Sequence, residues 1–379
     1  MKQDWEIAEF EKCLEKVTYT NKIQRKDFKE DGIYPIVSQE KDFINGYWDN
    51  QEDLFKVDKP VVIFGDHTQV IKFIDFDFVL GADGVKILKP NSEIDPKYFY
   101  YFLQNIDLGS LGYARHYKLL KKINITYPKP LPEQQRIVAI LDETFSAIDK
   151  AKANAEQNLK NAKELFESYL QGVFENGSEN WKNKTLGELC TFTQGIQRGV
   201  KLQSETQANG QVRFLRIVDY TQGNEPPRYI DHPGDKYILN EEDVALVRYG
   251  ASTGFVCHGM EGALANNLFR VIPKSFEELS NRFLAVYLKS PIFQDVIKST
   301  MNGAAMPAIS FGLIKEIPFP LPNLEEQQTV IQKLTAVQAE TQKLEAVYQK
   351  KMDDLEELKK SILQKAFAGE LETEKVVVV

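Results

Sequence analysis

Apolar positions recur with a helical period in two separate stretches of this chain. Along 131–174, Leu141, Phe145, Ile148, Ala155, Leu159, Ala162, Phe166, Tyr169 and Val173 follow alternating steps of four and three, broken only at Lys152. That spacing keeps one face of an α-helix apolar. Leu334, Thr341, Leu344, Tyr348, Leu355, Leu358 and Ile362 form a comparable seam near the other end. In the first stretch Pro132 falls in the opening turn, where proline is tolerated, and no other helix breaker precedes Gly172. In the second, Asn323 and Glu326 have the spacing of a capping box. At ~1.5 Å per residue each helix would be about 63 Å long. A helix of that length with a single apolar stripe must lie against another.

Elsewhere the pattern changes to short β-branched or aromatic runs punctuated by Gly, Asn, Asp and Pro, which predict strands. "YPIVS" (34–38), "VVIF" (61–64), "VRFLRIV" (212–218) and "VALV" (244–247) are the clearest. "DPKYFYYFLQ" (95–104) and "SPIFQDVIKS" (290–299) read as helices, each opened by an N-cap residue followed by Pro. Mixed α+β modules therefore precede each long helix.

The two halves echo each other. Residues 133–174 and 326–367 share 12 identities in 42 positions, among them Glu133/Glu326, Gln134/Gln327, Gln135/Gln328, Leu170/Leu363 and Phe174/Phe367. Upstream, "WEIAEFEKCL" (5–14) answers "WKNKTLGELC" (181–190), "VVIFG" (61–65) answers "VALVRYG" (244–250), and "GADGVKILKP" (81–90) answers "LANNLFRVIP" (264–273). "YFYYFLQN" (98–105) answers "FLAVYLKS" (283–290). A repeat on this scale changes the whole reading. Each copy's long helix has the other as its natural partner, although pairing between chains is the competing arrangement. Antiparallel packing would relate the attached modules by an approximate two-fold axis.

At 379 residues with 42% hydrophobic content, the chain is long enough for several cored domains. Its three cysteines, Cys13, Cys190 and Cys257, have no C-x-x-C spacing, which points to a reduced, cytoplasmic protein without structural zinc. No apolar run approaches the ~18 residues of a membrane span and no secretory leader is apparent, so no membrane partner is expected. The net charge of −8 argues against a free-standing nucleic-acid binder. Basic runs nonetheless stand out: "ARHYKLLKK" (114–122) has four Lys/Arg and no acid, and 198–216 has four against one Glu. This balance implies that a partner supplies further positive charge.

The tandem plan, the helix openings "PKPLPEQQRIVAILD" and "PFPLPNLEEQQTVIQKL", the ending "SILQKAFAGEL", the "LGELC" that follows Trp181, and "GIYPIVSQEKDFINGYWD" (32–49) together resemble the DNA-specificity subunit of type I restriction-modification systems. The resemblance runs from end to end. It implies two target-recognition domains, at 1–130 and 176–322. They would be separated by two long antiparallel helices, at 131–175 and, with the tail, 323–379, forming an intramolecular coiled coil with internal pseudo-two-fold symmetry. It further implies a non-catalytic subunit without a cofactor of its own. Such a subunit would bind double-stranded DNA at a split, asymmetric site, docking two adenine methyltransferase subunits that carry S-adenosylmethionine, and a motor-nuclease restriction subunit as a further partner. A coiled-coil scaffold with two paralogous protein-binding modules is the alternative reading.

Base reading needs Arg or Lys for guanine and Asn or Gln for adenine, on loops or helix ends. In the first module the candidates are Lys22, Gln24, Arg25, Lys26, Gln39, His67, Thr68 and Gln69, with Arg115, His116 and Lys118 for phosphate. In the second they are Gln194, Gln197, Arg198, Lys201, Arg213, Arg216, Arg248 and Tyr249. Each is weighed against the plainer role of a solvated loop residue or an internal ion-pair member. Lys121 and Lys122 would equally suit a methyltransferase interface. Apparent catalytic motifs have plainer readings. In "NEPPRY" (224–229), Glu225 and Arg228 interrupt the Asn-Pro-Pro-aromatic tetrapeptide of amino-methyltransferases. Asp95-Pro96-Lys97 reads as a helix cap, not a nuclease motif, and "YGASTG" (249–254) as a turn. His67, His116, His232 and His258 are too scattered for a zinc site. The terminal "VVVV" (376–379) reads equally as a docked strand or a frayed end.

Overall fold

Both helical patterns fold as single helices, Leu131–Glu175 and Leu324–Phe367. The computed structural model describes residues 4–82, 84–109, 112, 114–177, 180–301 and 308–371, and the run at 376–379 lies outside them. The second helix opens on the capping box expected: Asn323 Oδ1 accepts from the Glu326 N–H at 2.9 Å, and the Glu326 carboxylate accepts from the Asn323 N–H at 3.4 Å. The chain divides into two compact units, Met1–Glu156 with Gln349–Val379, and Gln157–Tyr348. Each unit therefore holds part of both long helices.

In the first unit, Trp5–Glu9 pairs antiparallel with Asn124–Pro128, the strand that leads into the first long helix. A three-stranded sheet places Val61–Gly65 between Ile71–Ile74 and Val85–Leu88. A five-stranded sheet runs Lys22–Ile23, Phe78–Gly81, Tyr34–Val37, Gly46–Trp48, with Leu54–Phe55 also on Phe78–Gly81. Every residue of Val61–Gly65 and Phe78–Gly81 is buried, as continuous apolar runs in central strands should be. Pro96–Gln104 is capped by Asp95, whose carboxylate accepts from the Lys97 and Tyr98 N–H groups at 2.9 and 3.0 Å. The cap read from the sequence at Asp95 is the one the helix uses. Lys97 turns to Asp142 at 2.7 Å.

The largest core of this unit joins Phe10, Tyr98 and Phe99 to Leu141, Phe145 and Ile148 of the first long helix and to Leu355, Ile362 and Phe367 of the second. The helices run antiparallel here, because Asp149 pairs with Lys359 at 3.1 Å while Lys152 pairs with Glu356 at 2.5 Å.

The second unit repeats the plan. Lys182–Thr185 pairs antiparallel with Pro318–Leu321, which leads into the second long helix. Two four-stranded sheets follow. One runs Cys190–Gln194, Leu268–Pro273, Val244–Val247, Val256–Cys257, and the other Tyr229–Asp231, Gln211–Leu215, Gly262–Leu264, Ile238–Leu239. The core gathers Leu170 and Phe174 with Phe283, Tyr287, Phe319 and Leu334. The long helices are antiparallel in this unit also: Phe166 and Leu170 face Leu334 and Gln338, whereas Val173 and Asn176 face Val330 and Glu326.

Three details depart from the sequence reading. Tyr169 is 37% exposed, while Leu170 and Phe174 are buried at 5% and 6%. Beyond Phe166 the seam steps by four and four, because Phe174 packs on Phe283, Tyr287 and Trp181 at 5.3–6.3 Å. Leu344, placed in the second seam, is 40% exposed. The strand at "VRFLRIV" ends at Leu215, and Ile217–Thr221 is a helical turn. The cause is Arg216, which donates twice to the Asp219 carboxylate (3.0 and 3.1 Å) while its own N–H donates there at 2.7 Å.

All three cysteines are free and buried. Burial pushes the Cys13 thiol up to about 11 and those of Cys190 and Cys257 up to about 12. They are packing residues, not nucleophiles. Among the described residues no helix is long and apolar enough to cross a membrane.

Candidate nucleic-acid interface

In the first unit, four stretches distant in sequence meet through direct bonds. Arg25 donates to the Asn45 carbonyl at 3.1 Å and pairs with Glu40 at 3.2 Å. The neighbouring Gln39 accepts from the His67 N–H at 3.1 Å, and its carbonyl accepts from Thr68 Oγ1 at 2.7 Å. Asp66 then holds the fourth stretch. Its carbonyl accepts from the His116 N–H at 2.7 Å and its carboxylate from the Tyr117 N–H at 2.8 Å.

The loop at 65–69 is a tight connection between Val61–Gly65 and Ile71–Ile74. Gln69 sits at φ 58°, in the left-handed region, and donates through Nε2 to the Gly109 carbonyl at 2.9 Å. A Cβ on Gly65 would stand 2.2 Å from Thr68 Oγ1 and 2.9 Å from Gln39 Cβ, so a larger residue would push these two segments apart.

Not every nominated side chain faces outward. His116 is 2% exposed, with Nδ1 3.2 Å from the Asp66 carbonyl. Gln39 and Thr68 use their polar groups to tie one loop to another. Lys22, with its ammonium 5.4 Å from the Tyr19 ring, stays exposed, as do Gln24, Lys26, Arg115 and Lys118. Lys121 is ion-paired with Glu11 at 2.6 Å.

Sequence reasoning passed over Lys72, which is 4% exposed. Its ammonium donates to the Asp42 and Phe43 carbonyls at 2.5 and 3.3 Å and to Asn45 Oδ1 at 3.1 Å, fixing the 39–45 loop from beneath. Burial holds this ammonium down at about 8, against the pull of Glu40 and Asp42. A lone Lys in an alternating strand carries no sequence signal of burial.

In the second unit the candidates gather around Asn266 and Asn267. Gln194 Nε2 donates to the Asn266 carbonyl at 3.0 Å, and Gln194 Oε1 accepts from Arg248 Nη1 at 2.6 Å. The Arg248 N–H donates to the Asn267 carbonyl at 2.8 Å, and its guanidinium lies 5.0 Å from the Phe311 ring centre. On the other side Ala265 donates to the Leu215 carbonyl at 3.0 Å, bringing Arg216 alongside. Asp219, 6% exposed, neutralises Arg216 and stands 3.6 Å from Arg213. Asn267 Oδ1 is buried and meets no donor among the described residues. Tyr249 forms a backbone bridge to Ala308. Gln197, Arg198 and Lys201 project from an exposed loop with Val200 and Leu202, which are 75% and 68% exposed.

One correspondence between the units is local. Ile23-Gln24-Arg25 and Ile196-Gln197-Arg198 repeat the same tripeptide. Each Ile makes a parallel pairing, with Gly81 and with Ala265, and each Gln is exposed just beyond it.

The apparent catalytic motifs have internal partners. The Pro226 carbonyl accepts from Arg216 at 2.8 Å, and Arg228 pairs with Glu205 at 2.8 Å. Among the described residues no three His, Cys, Asp or Glu side chains stand close enough to hold a metal ion.

Each unit thus has one polar loop cluster in which Gln, Asn and Arg groups converge. The sequence model of the type I restriction modification DNA specificity domain matches residues 2–160 and again 178–352. The chain belongs to this family of non-catalytic specificity subunits. It is 25% identical over 334 residues to the EcoR124I/EcoR124II specificity subunit of Escherichia coli, covering 82% of this chain and 80% of that one. Its fold is similar to that of a chain solved in work on complex assembly and conformational transition of the type I R-M system. The TM-score there is 0.74 at 18% identity, over 97% of this chain and 99% of the other. The HsdS subunit from Thermoanaerobacter tengcongensis gives a TM-score of 0.57 at 19% identity, over 98% of both chains. In this specificity subunit the two family matches divide as the internal repeat does.

Proposed function

We propose that this specificity subunit reads a bipartite, asymmetric DNA site, each half-site falling to one recognition domain. The domains are residues 1–130 and 176–322, and the helices at 131–175 and 323–379 act as the spacer between them. The observation that carries this reading is the pair of unlike loop clusters on one duplicated framework. Gln24, Arg25 and Lys26 stand in one, beside the loops that Gln39 and Thr68 tie together; Gln194, Arg248 and the Arg213–Arg216 pair stand in the other. Identical clusters would read identical half-sites, whereas unlike clusters read different ones. Exposed Lys26, Arg115, Lys118, Arg198 and Lys201 supply phosphate contacts that position the domains.

Several of the cations are neutralised internally, as Arg25 is by Glu40 and Arg216 by Asp219. With a net charge of −8, the subunit alone offers DNA little counterion release. It therefore acts docked to two adenine methyltransferase subunits, and to restriction subunits when the complex cleaves. The base modification is theirs, since it requires a flipped base and a methyl donor.

The test is a gel shift on random duplexes, with and without a co-expressed methyltransferase, followed by a genome-wide map of methylated adenines. The expected result is weak binding alone and salt-sensitive selection in complex, with two specified half-sites around an unspecified spacer. A continuous recognition sequence, or adenine methylation by the purified subunit alone, overturns the proposal.

A further inference from the structure

The repeated "EQQ" at the two helix openings places a glutamine in the interior of each unit. Gln134 is 0% exposed and Gln327 is 1%. An uncharged amide that deep must have its donors and acceptor met, and both do. Gln134 Oε1 accepts from the Asp95 N–H at 2.8 Å, and Nε2 donates to the Glu93 and Pro128 carbonyls at 2.9 and 2.8 Å. Gln327 Oε1 accepts from the Ser280 N–H at 3.0 Å, and Nε2 donates to the Glu278 and Pro322 carbonyls at 2.8 and 3.0 Å.

The backbone partners correspond one to one, and Gln327 Oε1 accepts from the Ser280 hydroxyl as well at 3.1 Å. Asp95 and Ser280 are the N-caps of Pro96–Gln104 and Asn281–Lys289, the helices that pack against each unit's sheet. Glu93 and Glu278 each lie two residues before their cap. Pro128 and Pro322 lie in or just after the strand entering the long helix. One amide therefore joins three pieces of backbone: the long helix, the strand before it, and the start of the domain's own helix.

We infer that Gln134 and Gln327 are positioning residues, which fix the angle at which each long helix leaves its recognition domain and so the spacing between half-sites. The inference rests on the bipartite reading above. Apolar packing is non-directional and lets a helix roll on its neighbour. Three bonds converging on one buried amide admit a single geometry. Leverage makes this matter: a tilt of about 5° at the base of a helix about 65 Å long moves its far end about 6 Å, close to two base-pair steps of about 3.4 Å.

The experiment uses the full chain assembled with its methyltransferase, and duplexes carrying both mapped half-sites with the spacer one base pair shorter, natural, or one longer. Gln134→Met and Gln327→Met keep the volume and remove the bonds, while Gln134→Asn and Gln327→Asn shorten the amide's reach. In either Met variant, base preferences at both half-sites are expected to persist. The preference for the natural spacer over the longer one falls about tenfold, the discrimination lost with roughly one net hydrogen-bond equivalent. The Asn variants fall in between. An unchanged spacer preference in folded variants overturns the inference, as does an equal loss on all three duplexes. Failure of all four variants to fold also overturns it, by making the amide purely structural. A wild-type complex without a bipartite site is a different failure, of the functional reading itself, and it is visible before any variant is made.

Discussion

Lys72 brings a cation into the first unit, and its depressed pKa makes that residue a pH probe. Its ordinary value is 10.5 and the folded value about 8, so between those limits the unfolded chain holds a proton that the folded chain has released. Stability linked to Lys72 therefore increases as pH rises through that window. Replacing it with Met is expected to flatten this slope, so that denaturant unfolding at pH 7.5 and 9.5 shows a smaller gain for Lys72→Met than for wild type. An identical gain in both would mean that the ammonium is as well solvated folded as unfolded. At the second unit's cluster, Arg248→Ala removes the partner of Gln194 Oε1 and, on the proposed reading, a guanidinium that reads a base edge. Selection among sequences at the second half-site should weaken by about 1–3 kcal/mol, with base preferences at the first unaltered. Randomised-duplex selection by the assembled complex measures both, and an equal loss at each half-site would argue against separate reading. These residues also mark where sequence reading stops. Arg and Gln can be recognised as base-reading types, but Gln39 and Thr68 act inwardly and His116 is buried, because Asp66 draws the 115–118 segment under the loop. Only tertiary partners decide that.

Among the elements, the long helices were the most legible, since an apolar period sustained over forty residues leaves few other folds. The cap at Asp95 and the capping box at Asn323 were equally readable, being written within four residues of sequence. What the period could not give was the switch of seam from Tyr169 to Leu170. An ideal helix drifts against a seven-residue repeat, and which neighbour captures the drift depends on Phe283 and Tyr287, over a hundred residues away. Phe174 marks that capture. Phe174→Ala should cost about 3–5 kcal/mol, read as an earlier unfolding midpoint in denaturant. A loss below about 1 kcal/mol would mean that the aromatic cluster around it closes over the gap. The strand at 212–218 misled for the opposite, local reason: Arg216 and Asp219 form a cap that ends it early.

For the molecule as a whole, the division between reading and spacing yields one expectation. Inserting or deleting one helical turn within 150–160 should change the unspecified spacer of the methylated sequence and leave both half-sites intact. The methylation map of a strain carrying the altered subunit decides it, and new bases in either half-site would refute the division of labour. Duplication was visible in the sequence, and with it the plan of two like units. The bases recognised were not, because loop side chains on a common framework obey no direct code.

The buried amide at Gln134 has a genetic corollary. All its partners lie between residues 93 and 134, so a recombination event downstream of that glutamine inherits the entire joint from one parent. A junction between 95 and 128 instead splices unlike halves of it. Chimaeras of two related subunits joined after residue 150, which keep Leu141, Phe145 and Ile148 with Tyr98 and Phe99, should melt above those joined near 110. Comparable melting of the two sets would show the joint to be indifferent to its source. On this account new specificities spread by exchange of whole heads, with the breakpoints gathered in the rods.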